Sequence, residues 1–193
     1  MAWRPEEAAR VLEGLAAPWA VAGGWALDLW CGEQTREHGD LEIAVPAVCY
    51  REVQARLQAR GLALFAMGDD EAVALAPGEA PHERGHQTWA ADLSANAWRL
   101  DIFREPGDAA TWAYHRTGEI TAPRAWATGR SAAGIPYLAP QVILLAKAKH
   151  QRDKDEADFA RFAPRLAPDI RAWLAEALQR IHPGHAWIER LAA

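Results

Sequence analysis

Two carboxylates, Asp40 and Glu42, stand two residues apart in the stretch Asp40-Leu41-Glu42-Ile43-Ala44-Val45. Apolar residues alternate there with period two, as in a strand with one buried face. Leu41, Ile43 and Val45 share one side, and Asp40, Glu42 and Ala44 share the other. The two acids are then about 7 Å apart at their Cα atoms. Like charges so placed repel and are costly to desolvate unless a cation stands between them. A divalent cation with oxygen ligands meets that need, and Mg²⁺ takes one or two carboxylates together with substrate phosphates. A third acid, Asp101, lies in a second alternating run over 98–103, on the opposite face from Leu100 and Ile102. Beside the first pair it would complete a two-metal site for phosphoryl transfer. Taken singly, each acid also fits an exposed strand.

The elements that must position these acids follow from the surrounding pattern. Pro5 to Leu15 reads as a helix with Pro at its first position and Glu6 and Glu7 in its first turn. Trp19 to Ala22 is a short buried strand, broken by Gly23-Gly24, and Trp25 to Cys31 continues as a helix that stops at Gly32. Glycines at a strand-to-helix junction let a phosphate approach backbone N–H groups, and Arg36 and His38 add positive charge just before Asp40. Val48 to Arg60 reads as a helix, 62–67 and 88–93 as strands, and the acidic, Pro/Gly-rich 68–87 as a hairpin or mobile loop. The stretch 106–136 holds short strands between turns. From Pro140 onward the pattern is helical, with the apolar stripe Ile170, Trp173, Leu174, Leu178 and Ile181.

Composition narrows the classes. The 193 residues, half of them apolar, suit one domain or one domain with an appendage. No run approaches the roughly 18 apolar residues of a spanning helix, and the start lacks a signal-peptide pattern. A net charge of −5 speaks against a nucleic-acid coat. Cys31 and Cys49 lack the spacing of a zinc or disulfide framework, which points to a reducing, cytoplasmic setting. Only three lysines stand against 18 arginines, and all three (Lys147, Lys149, Lys154) fall within eight residues.

In order along the chain, Gly23-Gly24-Trp25-Ala26-Leu27-Asp28-Leu29, Gly32, Asp40-Leu41-Glu42 and Asp101 resemble the nucleotidyltransferase superfamily with the polymerase-beta-like fold. The branch they resemble most contains the aminoglycoside 2''-adenylyltransferases and lincosamide nucleotidyltransferases. Lys147 to His150, followed by Arg152-Asp153-Lys154-Asp155 and Asp158, is similar to a helical segment of minimal members. The resemblance implies an α+β fold, a mixed sheet flanked by helices. It implies a catalytic core over 1–138 and a helical C-terminal subdomain over 139–193 that closes the cleft. It assigns Asp40, Glu42 and Asp101 to catalysis and to two Mg²⁺ ions. It assigns Gly23, Gly24, Arg36, Lys147 and Lys149 to the NTP, and Arg152, Lys154, Asp155 and Asp158 to an ion-pair network. Many relatives have Asp-x-Asp where this chain has Asp40-Leu41-Glu42; glutamate still offers oxygen, on a longer arm.

The implied reaction moves a nucleoside monophosphate from an NTP, ATP first among them, to a hydroxyl of a small molecule, with release of pyrophosphate. Asp69, Asp70, Glu71, Glu79 and Glu83 suit a polycationic, aminoglycoside-like acceptor, or form a solvated acidic loop. Two other readings stay open: nucleotidylation of a protein or a tRNA end, and a nucleotide-binding module without turnover. Oligomeric state is not legible.

Overall fold

The computed structural model describes residues 1–67, 71–81 and 85–192. Among them an eight-stranded mixed sheet runs in the order β4-β3-β5-β6-β2-β1-β10-β9, with a separate β7-β8 hairpin. The N-terminal elements are α1 (Pro5–Leu12), β1 (Ala20–Val21), α2 (Gly23–Cys31), β2 (Glu42–Pro46) and α3 (Tyr50–Ala59). Next come β3 (Ala63–Met67), β4 (Ala72–Leu75), β5 (Gln87–Asp92) and β6 (Ala97–Glu105). Short pieces follow: β7 (Thr111–Ala113), β8 (Thr121–Pro123), α4 (Arg124–Ala127), β9 (Thr128–Arg130) and β10 (Pro136–Leu138). Helices α5 (Pro140–Lys147), α6 (Asp153–Phe162), α7 (Pro168–Ile181) and α8 (Trp187–Ala192) end the chain.

The α+β class and the alternation in both acidic strands agree with the sequence reading. Element ends differ. α1 stops at Leu12, three residues early, because Gly14 takes a positive φ of 73°. α2 starts at Gly23 rather than Trp25, so the Gly-Gly pair forms the first turn instead of a break before it. β2 begins at Glu42, which leaves Asp40 in the approach to the strand. Within the described part of 68–87, β4 pairs antiparallel with β3 from Leu64↔Leu75 to Met67↔Ala72, as the hairpin reading expects.

One face of the sheet carries Leu64, Ala90, Leu100, Ile102 and Ile43, all buried. Helix α3 packs on β3 and on α1. The buried set extends without a break into the C-terminal helices through Leu144, Phe159, Leu174 and Trp187. Burying this much apolar area is the main stabilising term. Helix α5 is buried along nearly its whole length and packs on α2, which brings the end bearing Lys147 beneath the acidic strands. Among the described residues no helix is long and apolar enough to cross a membrane.

Candidate active site

β2 and β6 run parallel with Glu42 directly opposite Asp101. Strand periodicity therefore puts both carboxylates on the same face of neighbouring strands. Burial pushes the Asp101 carboxyl up to about 7. Glu42 and Asp40 push the same way, against the Trp89 indole and Gln87, which lower it. Gln87 Nε2 donates to Asp101 Oδ2 at 3.0 Å, while Oδ1 is buried without a partner. Glu42 is also held above the usual carboxylate range, first by burial and then by Asp40. Asp40 is exposed at the mouth. Lys147, Lys154 and Arg152 lower the Glu42 pKa without offsetting burial and Asp40, and the hard oxygen donors suit a hard divalent cation. Among the described residues no three carboxylate, histidine or cysteine side chains converge closely enough to hold a metal ion as they stand.

A cavity of about 620 Å³ opens beside this pair, lined by Gly23, Gly24, Asp40, Glu42, Glu105 and the residues opposite them. Here the glycines have a role the sequence reading did not anticipate. Gly23 has φ +61°, and a Cβ there would collide with Glu42 Oε2. A Cβ on Gly24 would collide with Arg36 Nη2 and the His38 ring. A side chain at either position is thus excluded by this chain's own groups, while the backbone of both glycines still lines the cavity. Gly23→Ala is expected to cost about 1–2 kcal/mol of stability from the left-handed φ. By displacing Glu42 it should lower turnover by about 10²-fold. Thermal unfolding and pyrophosphate release check the two effects separately.

His38 Nε2 meets the buried Asp28 Oδ2 at 2.5 Å, and Thr35 Oγ1 donates to Asp28 Oδ1 at 2.6 Å. The His38 ring lies 4.4 Å from that of Trp25. His38 is therefore fixed to α2 and is not a loose charge near Asp40. Arg36 Nη2 pairs with Asp158 Oδ2 at 3.3 Å, and Lys147 Nζ reaches Asp155 Oδ1 at 2.8 Å and Asp158 Oδ2 at 2.9 Å. Arg152 Nε pairs with Asp155 Oδ2 at 2.7 Å. Asp155 and Asp158 thus join an ion-pair network, as the resemblance implies, and Arg152 belongs to it. Lys154 has no carboxylate partner among the described residues. Lys147, expected at the triphosphate, borders the cavity with its charge already answered by two aspartates. Lys149 is exposed and outside the cavity lining.

Sequence reasoning missed the wall supplied by the β7-β8 hairpin. Trp112, Tyr114, His115 and Arg116 line the cavity with His86 and His150. Arg116 Nη2 lies 3.2 Å from His150 Nε2. Burial, then Arg116, His86 and Lys149, lower the His115 pKa to about 4, so its ring is neutral at pH 7. Of the acidic stretch, Asp69, Asp70, Glu83 and Arg84 lie outside the described residues. Glu71 and Glu79 do not line the cavity, and Glu79 accepts from the backbone of Ala76.

Residues 6–74 match the family model of aminoglycoside-2''-adenylyltransferase, a stretch that holds Gly23, Gly24, Asp40 and Glu42. The fold of the chain is similar to the solution structure of the antibiotic-resistance factor ANT(2'')-Ia. The TM-score is 0.57 and the identity 14%, over 96% of this chain and 92% of that one. A crystal structure of ANT(2'')-Ia with adenylyl-2''-tobramycin gives 0.58 and 14%, over 91% and 95%. The lincosamide antibiotic adenylyltransferase LnuA, bound to lincomycin, gives 0.54 and 19%, over 78% and 89%. Comparison with curated proteins gives no match. The mixed sheet with flanking helices is thus the fold of these adenylyltransferases, at identities that leave residue roles to be argued from the site itself.

Proposed function

We propose that this relative of the adenylyltransferases moves a nucleoside monophosphate from ATP to a hydroxyl of a small, cationic, antibiotic-like acceptor. The observation that carries the reading is the Glu42–Asp101 pair on adjacent parallel strands, with Glu42 lining a cavity whose far wall is cationic. Asp40, Glu42 and Asp101 would hold divalent cations such as Mg²⁺. When bound, these neutralise the carboxylates and the charge that develops on the phosphates.

The remaining chemistry belongs to the chain. Asp101 accepts the proton of the attacking hydroxyl. The hydroxyl oxygen bonds to the α-phosphorus, the bond to the bridging oxygen breaks, and pyrophosphate leaves with that electron pair. Arg152 and Lys154, at the cavity edge, and Arg116 opposite face the triphosphate. Arg36 and Lys147 act from below, through the network that fixes the floor. The helical C-terminal part, 139–193, closes the cleft against the core, 1–138. His115, neutral and half-buried, accepts or donates a hydrogen bond without adding charge.

The test is thermal unfolding with ATP, GTP, CTP or UTP, with and without Mg²⁺, on the wild type and on Asp40→Asn. Pyrophosphate release is then followed with tobramycin or lincomycin as acceptor. A nucleotide at 100 times its Kd adds about 2.7 kcal/mol, roughly 5–10 °C for this size. The expected result is an Mg²⁺-dependent shift, largest with ATP and lost in the variant, and pyrophosphate release with at least one antibiotic. Absence of any nucleotide shift and of any release would overturn the reading.

A further inference from the structure

Asp101 is the middle of a longer row. Across four neighbouring strands the register aligns Phe65, Trp89, Asp101 and Glu42. All four belong to one face of the sheet. A bulge between Ala90 and Ala91 shifts the register, so Trp98 lies opposite Ala91 and joins that face too. The Trp98 ring stands 5.3 Å from those of both Phe65 and Trp89, edge-on in each case. Core aromatics are normally covered, yet Trp98 is 49% exposed and Phe65 and Trp89 are half-buried. Beyond them Ala72 and Ala74 on β4 are exposed and add no bulk. The result is an open aromatic platform that begins where the carboxylates end.

The seam between platform and carboxylates is chemically specific. Trp89 Nε1, a donor, and Asp101 Oδ1, an acceptor, are both buried with no partner of good geometry. A hydroxyl is the small group that complements both, since it accepts from an N–H and donates to a carboxylate. The 620 Å³ cavity lies on the other side, against Glu42, Gln87 and Phe103, and neither Trp89 nor Trp98 lines it. Asp101 therefore separates two regions. One is a polar cleft with a cationic wall. The other is an apolar ledge whose indoles favour flat ring faces and positively charged groups.

We propose that the Phe65–Trp89–Trp98 platform seats the ring of the acceptor, a compact, hydroxyl-bearing, sugar-like ring with protonated amines, and delivers its hydroxyl to Asp101. This rests on the nucleotidyl-transfer reading and adds to it the side from which the acceptor arrives. The seam is closed in this state, so seating a hydroxyl there brings a rotamer change of Trp89.

The experiment has a binding arm and a kinetic arm. Protein labelled with 5-fluorotryptophan is titrated with tobramycin, lincomycin or Mg·ATP, and the Trp89 and Trp98 fluorine resonances are assigned from Trp89→Phe and Trp98→Phe. Tobramycin is expected to move both resonances, and Mg·ATP alone neither. In Trp98→Ala the acceptor KM rises about tenfold while kcat and the ATP KM stay within about twofold. Trp98→Phe retains a ring and stays near wild type, and Phe65→Ala gives a smaller KM effect. Resonances that move without pyrophosphate release would keep the platform and overturn the transfer reading. Resonances silent to both antibiotics, an unchanged acceptor KM in Trp98→Ala, or movement with Mg·ATP alone would overturn the platform.

Discussion

Asp101→Asn is expected to lower nucleotidyl transfer by about 10³-fold and, in the metal-free protein at pH 8, to raise stability. The two effects have one cause. The Asp101 carboxyl is buried beside Glu42 and near Asp40, and its pKa stands at about 7 against an ordinary 3.8. The folded state therefore binds this proton more tightly than the unfolded chain does. The stabilisation is full below about pH 4 and is lost as pH rises through about 7. Between pH 5 and pH 8 the metal-free wild type should lose about 2–3 kcal/mol relative to the asparagine variant. His115, its pKa lowered to about 4, gains stability over the same range in both proteins and cancels in the difference. At roughly 2–4 °C per kcal/mol the wild-type Tm should fall by roughly 5–10 °C relative to that of the variant, and Mg²⁺ at pH 8 should close that gap. Thermal unfolding at the two pH values and pyrophosphate release at pH 8 measure both effects. Wild-type turnover in the variant, or a Tm difference between wild type and variant that does not change with pH, would remove Asp101 from the site.

That prediction could be framed from the sequence because the acids are locally legible. Asp40, Glu42 and Asp101 interrupt period-two apolar runs, and strand geometry fixes which way they turn whatever the sheet order is. The parallel register that sets Glu42 opposite Asp101 carries no local signal, since α3 and three strands lie between them. The same limit hid the rest of the site. Arg36 and Asp158 are 122 residues apart and meet only because α6 packs against α5. His115 and Arg116 reach the cavity on a hairpin with strands of three residues each, too short to show periodicity. Trp98 reads as a face-mate of Leu100 until the bulge moves it to the other face. Gly23 and Gly24 were legible as special positions. Their reason, close approach by Glu42, Arg36 and His38, depends on side chains from another element.

Lys147→Met should destabilise the protein by about 3–5 kcal/mol at pH 7, the cost of leaving buried charges unpaired. Lys147 is 8% exposed, and its ammonium joins Asp155, which is fully buried, to Asp158. Burial raises the Asp155 pKa, but the Arg152 and Lys147 contacts outweigh it and hold the carboxyl at about 2. A depressed acid stabilises above its unfolded pKa and loses that contribution as pH falls. The deficit of the variant should therefore shrink from pH 7 toward pH 3, where protonation of Asp155 relieves the unpaired charge. Replacing Asp158 by asparagine as well should recover part of the loss, since one buried charge goes with its partner. Lys154→Ala offers the contrast. Its side chain is exposed and has no carboxylate partner among the described residues, and surface changes usually stay within about 0.5 kcal/mol, so its effect should fall on the nucleotide KM. If Lys147→Met left Tm unchanged and raised only the nucleotide KM, the lysine would be a phosphate ligand, and the floor of the cleft would stand on Arg36 and Arg152 alone.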